Sequence, residues 1–430
     1  MKLLIKGGRI VDPLQNLEGE YDVLVDDGKV AALERNIKPG AGVEVIDVPG
    51  CIVAPGFIDM HVHLREPGLE HKETIATGTR AAAAGGFVAV AAMPNTEPVA
   101  DNASVITYIK EKAAREGAVR VYPIGAITKG SKGEELSEIA DLAEAGAVAL
   151  SDDGRPVMNA EIMRRALEYA GMFNLPVIAH CEDLNLSAGG VMNEGFISTI
   201  LGLRGIPAGA EEVMVARDLI LAAMTKGKLH LAHISTAGSV QLLQQAKERG
   251  IKVTAEVTPH HLCLTEEEVV GYNTNAKVNP PLRTRRDCDA LGSALAGELI
   301  EVIASDHAPH AAEEKDVEFD FAPFGMVGLE TAVPLVVTFL IRPGLLTWKQ
   351  AVAAWSSNPA RILNVPGGSL APGSTADITI INPAEEREVD VRRFYSLGKN
   401  SPLQGRKLYG WPAATIVGGR IIMREGEVLV

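Results

Sequence analysis

Aromatic side chains are scarce in this sequence: phenylalanine, tyrosine and tryptophan make up 4% of its 430 residues. Glycine, alanine and valine are abundant instead, and side chains that small suit helices packed closely on strands. Positive charge is also in deficit. The formal net charge of −14 excludes the electrostatic footprint of a nucleic-acid surface and favours solubility. No block of like charges is long enough to form an interaction tail, and no repeat or low-complexity tract is evident. Cysteine is limited to Cys51, Cys181, Cys263 and Cys288, none in a CxxC pair. Residues so few and scattered do not make a disulfide framework, and they suit a reducing cytoplasm. Long apolar runs are missing as well. Lys2–Lys6 is too short for a signal-peptide core, and the nearly apolar stretches Ala81–Met93 and Thr331–Ile341 fall short of a membrane span. The expected setting is the cytoplasm, with neither membrane nor nucleic acid as partner.

What remains is an ordinary globular composition, 47% hydrophobic and 22% charged. The length suits a large barrel or doubly wound domain with a further unit attached. The chain opens on short strands. Tyr21–Val25 and Lys29–Leu33 flank Asp26-Asp27-Gly28 and read as a hairpin. From residue 51 to about 310, apolar runs alternate with helical stretches. The run from Ile52 to Leu64 reads as one buried strand, bent on entry by Pro55-Gly56. A helix over Lys72–Ala84 follows, closed by Gly85-Gly86. Later runs end at Pro94-Asn95-Thr96, Ile127, Asp152-Asp153, His180, His233, His260-His261 and Asp306-His307. About eight strands with nearly all ends polar predict a (β/α)8 TIM-type barrel, whose chemistry sits at the C-terminal strand ends. A doubly wound sheet would gather its ligands near one switch point.

After the barrel, Ala311–Phe324 reads as a loop and a candidate lid. Gly328–Ile341, with a kink or restart at Pro334, then Leu346–Asn358 and Ala360–Asn364 read as helices. Strands return at Ala376–Ile381, Ala414–Val417 and Arg420–Met423. The expected organisation is a catalytic barrel over residues 55–365, with residues 1–54 and 366–430 joined in one small composite β domain formed by both chain ends.

His61 and His63 stand two residues apart, so a strand presents both on one face. Two imidazoles so placed can share a cation, although an HxH alone fits two hydrogen-bonded histidines equally well. Asp153, His180, His233 and Asp306 add ligand-type groups from four further strand ends. Imidazole with carboxylate suits zinc and similar divalent metals, and a catalytic zinc keeps one position open for water. Six candidate ligands exceed the needs of one tetrahedral zinc. One or two zinc ions are therefore expected per chain, and two are favoured, roughly 3.5–4 Å apart across a shared carboxylate. His230 reads as structural, and His260 and His261 as structural or supporting. Cys181 falls on the opposite strand face from His180.

With these residues placed, the chain resembles the amidohydrolase superfamily and most closely the bacterial type I dihydroorotases. The matching segments are Asp59-Met60-His61-Val62-His63-Leu64-Arg65-Glu66-Pro67-Gly68, Met93-Pro94-Asn95-Thr96, Ser151-Asp152-Asp153-Gly154, Ala179-His180-Cys181-Glu182, His233-Ile234-Ser235-Thr236, Asn279-Pro280-Pro281-Leu282-Arg283 and Ala304-Ser305-Asp306-His307-Ala308-Pro309-His310. The likeness runs essentially end to end. It implies the reversible zinc-dependent cyclisation of N-carbamoyl-L-aspartate to L-dihydroorotate, a step in pyrimidine synthesis towards UMP.

The same resemblance assigns His61 and His63 to a first metal, His180 and His233 to a second, and Asp153 to a bridge between them. Asp306 becomes both ligand and catalytic acid/base. His63, Leu64, Arg65, Asn95, Asn279, His310, Phe324 and Gly325 become the substrate-binding set. Within it Arg65 would grip the substrate carboxylate bidentately, with Asn95 and His310 beside it. Asn279 would contact the ring, and Phe324-Gly325 would contact it through the backbone. Many members of the superfamily bridge their metals with a carbamylated lysine on the fourth strand. Ser151-Asp152-Asp153 offers none, which argues against the allantoinases, hydantoinases and dihydropyrimidinases. The alternatives are another cyclic amidohydrolase, an allantoinase or a hydantoinase, or a scaffold subunit for aspartate transcarbamoylase; related chains in that scaffold role have lost their metal ligands, whereas all six candidates are present here. A homo-oligomer and an aspartate transcarbamoylase complex are the expected macromolecular partners.

Overall fold

The computed structural model describes residues 2–430. Eight short parallel strands form its centre: β1 (Phe57–Val62), β2 (Phe87–Ala92), β3 (Arg120–Pro123), β4 (Leu150–Ser151), β5 (Val177–Ala179), β6 (Leu229–Leu231), β7 (Val253–Val257) and β8 (Val302–Ile303). Each pairs in parallel with the next. A bridge from Gly125 to Leu150 joins β3 to β4, and a bridge from Val62 to His307 closes β8 onto β1. The expected (β/α)8 barrel is therefore present. Its interior is filled by Met60, Ala91, Met93, Ile124, Ala149, Ile178, Ala232, Val302 and Ala304. So narrow a cylinder packs alanines against methionines and isoleucines.

The helices start where short polar side chains can cap them. Thr74, Asn102, Asn159 and Thr236 each accept backbone N–H groups at the head of a helix. The helix expected from Lys72 accordingly begins at Ile75, after a reciprocal Thr74–Thr77 cap.

The run Ile52–Leu64 is two strands rather than one. Ile52–Pro55 belongs to the β domain, and β1 starts after Gly56. Gly56 donates to the carbonyl of Asp377, and a Cβ there would lie 2.5 Å from Val88. Only glycine lets the chain pass from one sheet to the other at this point.

Ile52–Pro55 pairs in parallel with Arg9–Asp12 and antiparallel with Ile378–Glu388. Both chain ends thus meet in one seven-stranded sheet, completed by Leu17–Glu20, Lys407–Val417, Arg420–Arg424 and Glu427–Val428. A four-stranded sheet packs against it through Leu3, Ile5, Val23, Val25, Ile378 and Ile416. The hairpin at Asp27-Gly28 forms as expected, with both residues at positive φ (48° and 73°).

Beyond the barrel the helices differ from expectation. The segment read as a helix from Gly328 begins at Ala332, so Pro334 lies in its first turn and neither kinks nor restarts it. Trp348–Leu363 is one continuous helix with a π-type segment at Ala353–Ser357, which places Trp355 flat against Phe57. The candidate lid, 311–324, holds one helical turn, Ala312–Lys315, and is tied down. The Lys315 ammonium reaches the carbonyls of Thr274, Lys277 and Pro323, and Lys277 reaches those of Phe319 and Asp320.

Candidate metal centre and active site

The barrel's C-terminal mouth gathers the six candidate ligands. His61 and His63 project from one face of β1, their rings 5.4 Å apart. Asp153 follows β4, and its two oxygens face different partners. Oδ1 lies 3.3 Å from His61 Nε2, 3.4 Å from His233 Nε2 and 3.6 Å from His180 Nδ1. Oδ2 lies 3.4 Å from His63 Nε2. Asp306 Oδ1 is 3.0 Å from His63 Nε2 and 3.5 Å from His61 Nε2. All six residues are buried. Donor atoms of five of them fall into two overlapping groups, His61–Asp153–His233 and His61–His63–Asp306, with atoms within 4.8 Å of one another in each; His180 stands beside the first, its Nδ1 3.0 Å from His233 Nε2.

Three orienting contacts surround this set. His61 Nδ1 is 2.5 Å from Glu256 Oε1, His63 Nδ1 is 2.8 Å from Asn95 Oδ1, and His180 Nε2 is 3.0 Å from Glu182 Oε2. In each case an oxygen acceptor takes the outer N–H, so the neutral imidazole turns its lone pair inward. Lone pairs then meet carboxylate oxygens, and both need a positive charge between them. His61 Nε2 and Asp153 Oδ1 are buried and make no hydrogen bond. A divalent cation supplies the missing charge, so the donor set fits a metal.

Without a cation, the same carboxylates draw protons onto these rings, and that is the positive charge a metal would replace. Burial lowers the pKa of His180, but Asp153 and Glu182 overcome it and carry the group up to about 10. Burial also works against His61, yet Asp153 and Glu256 raise it well above the usual range. Against burial, the histidines hold Asp153 and Asp306 well below the usual carboxylate range.

Three residues at the mouth sit in the left-handed backbone region: Arg65 (φ 61°), His233 (φ 28°) and Asp306 (φ 47°). Such conformations cost about 1–3 kcal/mol each and persist only where neighbours impose them. Around Asp306 the neighbours are clear. Asp59 accepts the N–H of Ser305, Ser305 Oγ accepts that of His307, and His63 donates to the His307 carbonyl.

The other expected residues are close by, and several are engaged with protein partners. Leu64 is buried beneath the mouth. Arg65 donates through Nε to the Pro309 carbonyl at 3.2 Å. Asn95 holds His63, and Asn279 donates to Glu182 at 2.9 Å. His310 Nε2 donates to the Phe324 carbonyl at 2.9 Å, and burial with the Arg65 charge pushes its pKa down to about 3. Gly325 donates to the Lys277 carbonyl. His261 is structural, bonded to Thr258 Oγ1 and the Pro280 carbonyl. His260 Nε2 is buried without a partner. Cys181 turns away towards Asp218. His230, read as structural, reaches Glu256 at 3.1 Å and so supports the carboxylate that holds His61. Sequence reasoning missed Glu256 and Glu182. The signal for Glu256 was a carboxylate inside an apolar strand, Val253-Thr254-Ala255-Glu256-Val257.

A dihydro-orotase-like family model matches residues 50–239, and an amidohydrolase family model matches residues 322–423. A curated dihydroorotase of Pelotomaculum thermopropionicum is 62% identical over 425 residues, covering 99% of this chain and 99% of its own. Another, of Acetivibrio thermocellus, is 54% identical and covers 99% of this chain and 100% of its own. Among solved structures, an L-hydantoinase (dihydropyrimidinase) from Arthrobacter aurescens superimposes with a TM-score of 0.90 at 27% identity, covering 100% of this chain and 97% of the other. A dihydropyrimidinase from Brevibacillus agri gives a TM-score of 0.87 at 24% identity, covering 100% and 96%, a likeness of fold.

Proposed function

We propose, for a chain that belongs to the dihydroorotase family of amidohydrolases, the reversible cyclisation of N-carbamoyl-L-aspartate to L-dihydroorotate in pyrimidine synthesis. The observation that carries this reading beyond family membership is the β4 end. Asp153 divides its two oxygens between His63 on one side and His61, His180 and His233 on the other. That arrangement supports a bridging carboxylate where no lysine is available. It supports zinc as the metal and two ions per chain: His180 and His233 would hold one and His63 the other, while His61, which the resemblance gives to the His63 ion, stands within reach of both groups. Bound there, the metal would polarise the ring amide carbonyl and ease deprotonation of a nearby water.

The remaining steps belong to the protein. In the hydrolytic direction Asp306 takes the proton of the attacking water and delivers it to the departing ring nitrogen; cyclisation runs the transfers in reverse. Arg65 holds the substrate carboxylate, since its two Nη atoms make no hydrogen bond among the described residues while Nε is fixed on Pro309. Asn95 offers its Nδ2 while Oδ1 keeps His63, and Asn279 and His310 complete the polar lining by exchanging their present partners for substrate. The Phe324 carbonyl and the Gly325 backbone lie beside His310, where they can meet the ring.

The decisive experiment measures hydrolysis of dihydroorotate, hydantoin, allantoin and dihydrouracil by the purified chain, with metal content read on the same sample. Preference for dihydroorotate with one to two zinc per chain supports the reading. Faster turnover of hydantoin or allantoin overturns it.

A cytoplasmic setting belongs to the same reading and is supported by four buried free thiols. No helix among the described residues is long and apolar enough to cross a membrane. A homo-oligomer and an association with aspartate transcarbamoylase are supported by large exposed apolar side chains, among them Met172, Phe196, Ile200 and Phe321. Size-exclusion chromatography of the chain alone and with that partner tests both, and separate elution of monomers counts against them.

A further inference from the structure

One side chain far from the barrel in sequence reaches three points of the proposed substrate site. Asn400 lies in the segment that returns from the C-terminal arm, between the turn at Val391–Arg393 and the strand Lys407–Val417. It is 4% exposed. Its Oδ1 accepts the N–H of His310 at 3.0 Å. Its Nδ2 donates to the carbonyls of Ala308 at 3.1 Å and Gly325 at 3.0 Å. Its own carbonyl accepts the N–H of Val327 at 2.9 Å. One amide group therefore spans the segment after β8 and the far end of the 311–324 loop.

The neighbours make this bridge rigid. Gly398 packs so closely on Pro309 that a Cβ there would lie 2.6 Å from the proline Cβ. Ser396 Oγ donates to Glu73, and Glu73 also binds His307. Pro309, held under Gly398, is the residue whose carbonyl fixes Arg65. The segment 396–400 is thus tied to the groups assigned to the substrate carboxylate and to the backbone assigned to its ring.

We propose that Asn400 is a positioning residue for the substrate: it holds Ala308–His310 and Gly325 in the register that lets Arg65, His310 and Gly325 meet one ligand together. It touches neither the metal ligands nor the reacting bond, so its loss falls on substrate binding rather than on the chemical step. The inference rests on the proposed dihydroorotate reading.

The test compares Asn400→Ala, Asn400→Asp and Ser396→Ala in the full-length zinc-loaded chain, following dihydroorotate hydrolysis and hydrogen exchange of the peptides spanning 305–311 and 322–328. Asn400→Asp keeps the acceptor for His310 and loses both donors. For either Asn400 variant KM is expected to rise about tenfold or more, with kcat within about threefold and faster exchange in both peptides. Ser396→Ala cuts the same segment at its other anchor. It is expected to lower the unfolding midpoint while leaving KM within about twofold of the parent. An unchanged KM in whichever Asn400 variant folds overturns the proposal. So does an equal rise in Ser396→Ala, which would make the segment a general scaffold. Failure of both Asn400 variants to fold overturns it as well, since Asn400 would then be a folding residue. Absence of dihydroorotate turnover by the parent chain sinks the functional reading itself and is seen separately, before any variant is compared.

Discussion

His61 and Glu256 are 2.5 Å apart, both fully buried, and they lie on barrel strands separated by β8. Glu256 also accepts the backbone N–H of His233 and contacts His230, so one carboxylate orients two candidate ligands. The buried charge is held down to about 2: burial opposes ionisation, and His61 and His230 outweigh it. Glu256→Gln keeps an acceptor for His61 and His233 but removes the negative charge that strengthens the hold on His61. Metal affinity, read by chelator competition, is expected to fall roughly 10–100-fold with the barrel still folded.

Asp306→Asn keeps the size of the side chain and removes the carboxylate proposed to accept the proton. Turnover of dihydroorotate is expected to drop by about 10²–10⁴, with circular dichroism unchanged. Retention of more than about a tenth of the parent rate would remove Asp306 from the catalytic role.

Lys277 and Lys315 hold the 311–324 loop by its carbonyls, and Lys277 also lies over the rings of Phe319 and Phe324. Substituting either with methionine preserves bulk and leaves buried carbonyls unpaired, at about 1–3 kcal/mol each. Limited proteolysis is expected to cut within 311–324 in the variants and not in the parent. KM for the substrate is expected to rise with it.

Glu330 accepts the N–H groups of Tyr395 and Ser396 through Oε1 alone. Burial, helped by the charge of Glu73, pushes its pKa up to about 8. A carboxyl with a raised folded-state pKa stabilises the fold below its unfolded pKa, and that contribution is lost as pH climbs through the folded value. Glu330→Gln keeps the accepting oxygen and removes the titration. Its unfolding midpoint should gain on the parent's from pH 5 to 8 and level off above about 9. A difference that stays flat across this range contradicts the assignment.

Gly68 has a φ of 96°, and a Cβ there would lie 1.9 Å from the carbonyl oxygen of Glu97. This contact seats the loop carrying Arg65 against the loop carrying Asn95. Gly68→Ala is expected to cost more than about 2 kcal/mol in a urea titration and to raise KM.

The barrel was legible because each strand run is apolar and stops at a polar residue, a pattern local in sequence. The candidate ligands were legible for the same reason: His61, His63, Asp153, His180, His233 and Asp306 stand where those runs stop. The residues that orient them were not. Glu256 leaves only a faint local trace, a carboxylate within an apolar strand, and gains its meaning through strand closure; Asn400 leaves none and gains its meaning through the return of the C-terminal arm. The split at Gly56 was hidden because two apolar strands in succession read as one. The candidate lid proved anchored because its fastening lysines act on backbone carbonyls, which carry no sequence signature.

The shared sheet sets a timetable for synthesis. Ile52–Pro55 leaves the ribosome long before Ile378–Glu388, which later covers one of its edges. Through that interval the nascent chain carries an open apolar edge, a site that favours wrong pairing and calls for chaperone cover. The barrel's eight strands are by then complete, and the arm bearing Asn400 arrives after them. A chain stalled before residue 378 would be a barrel without its clasp.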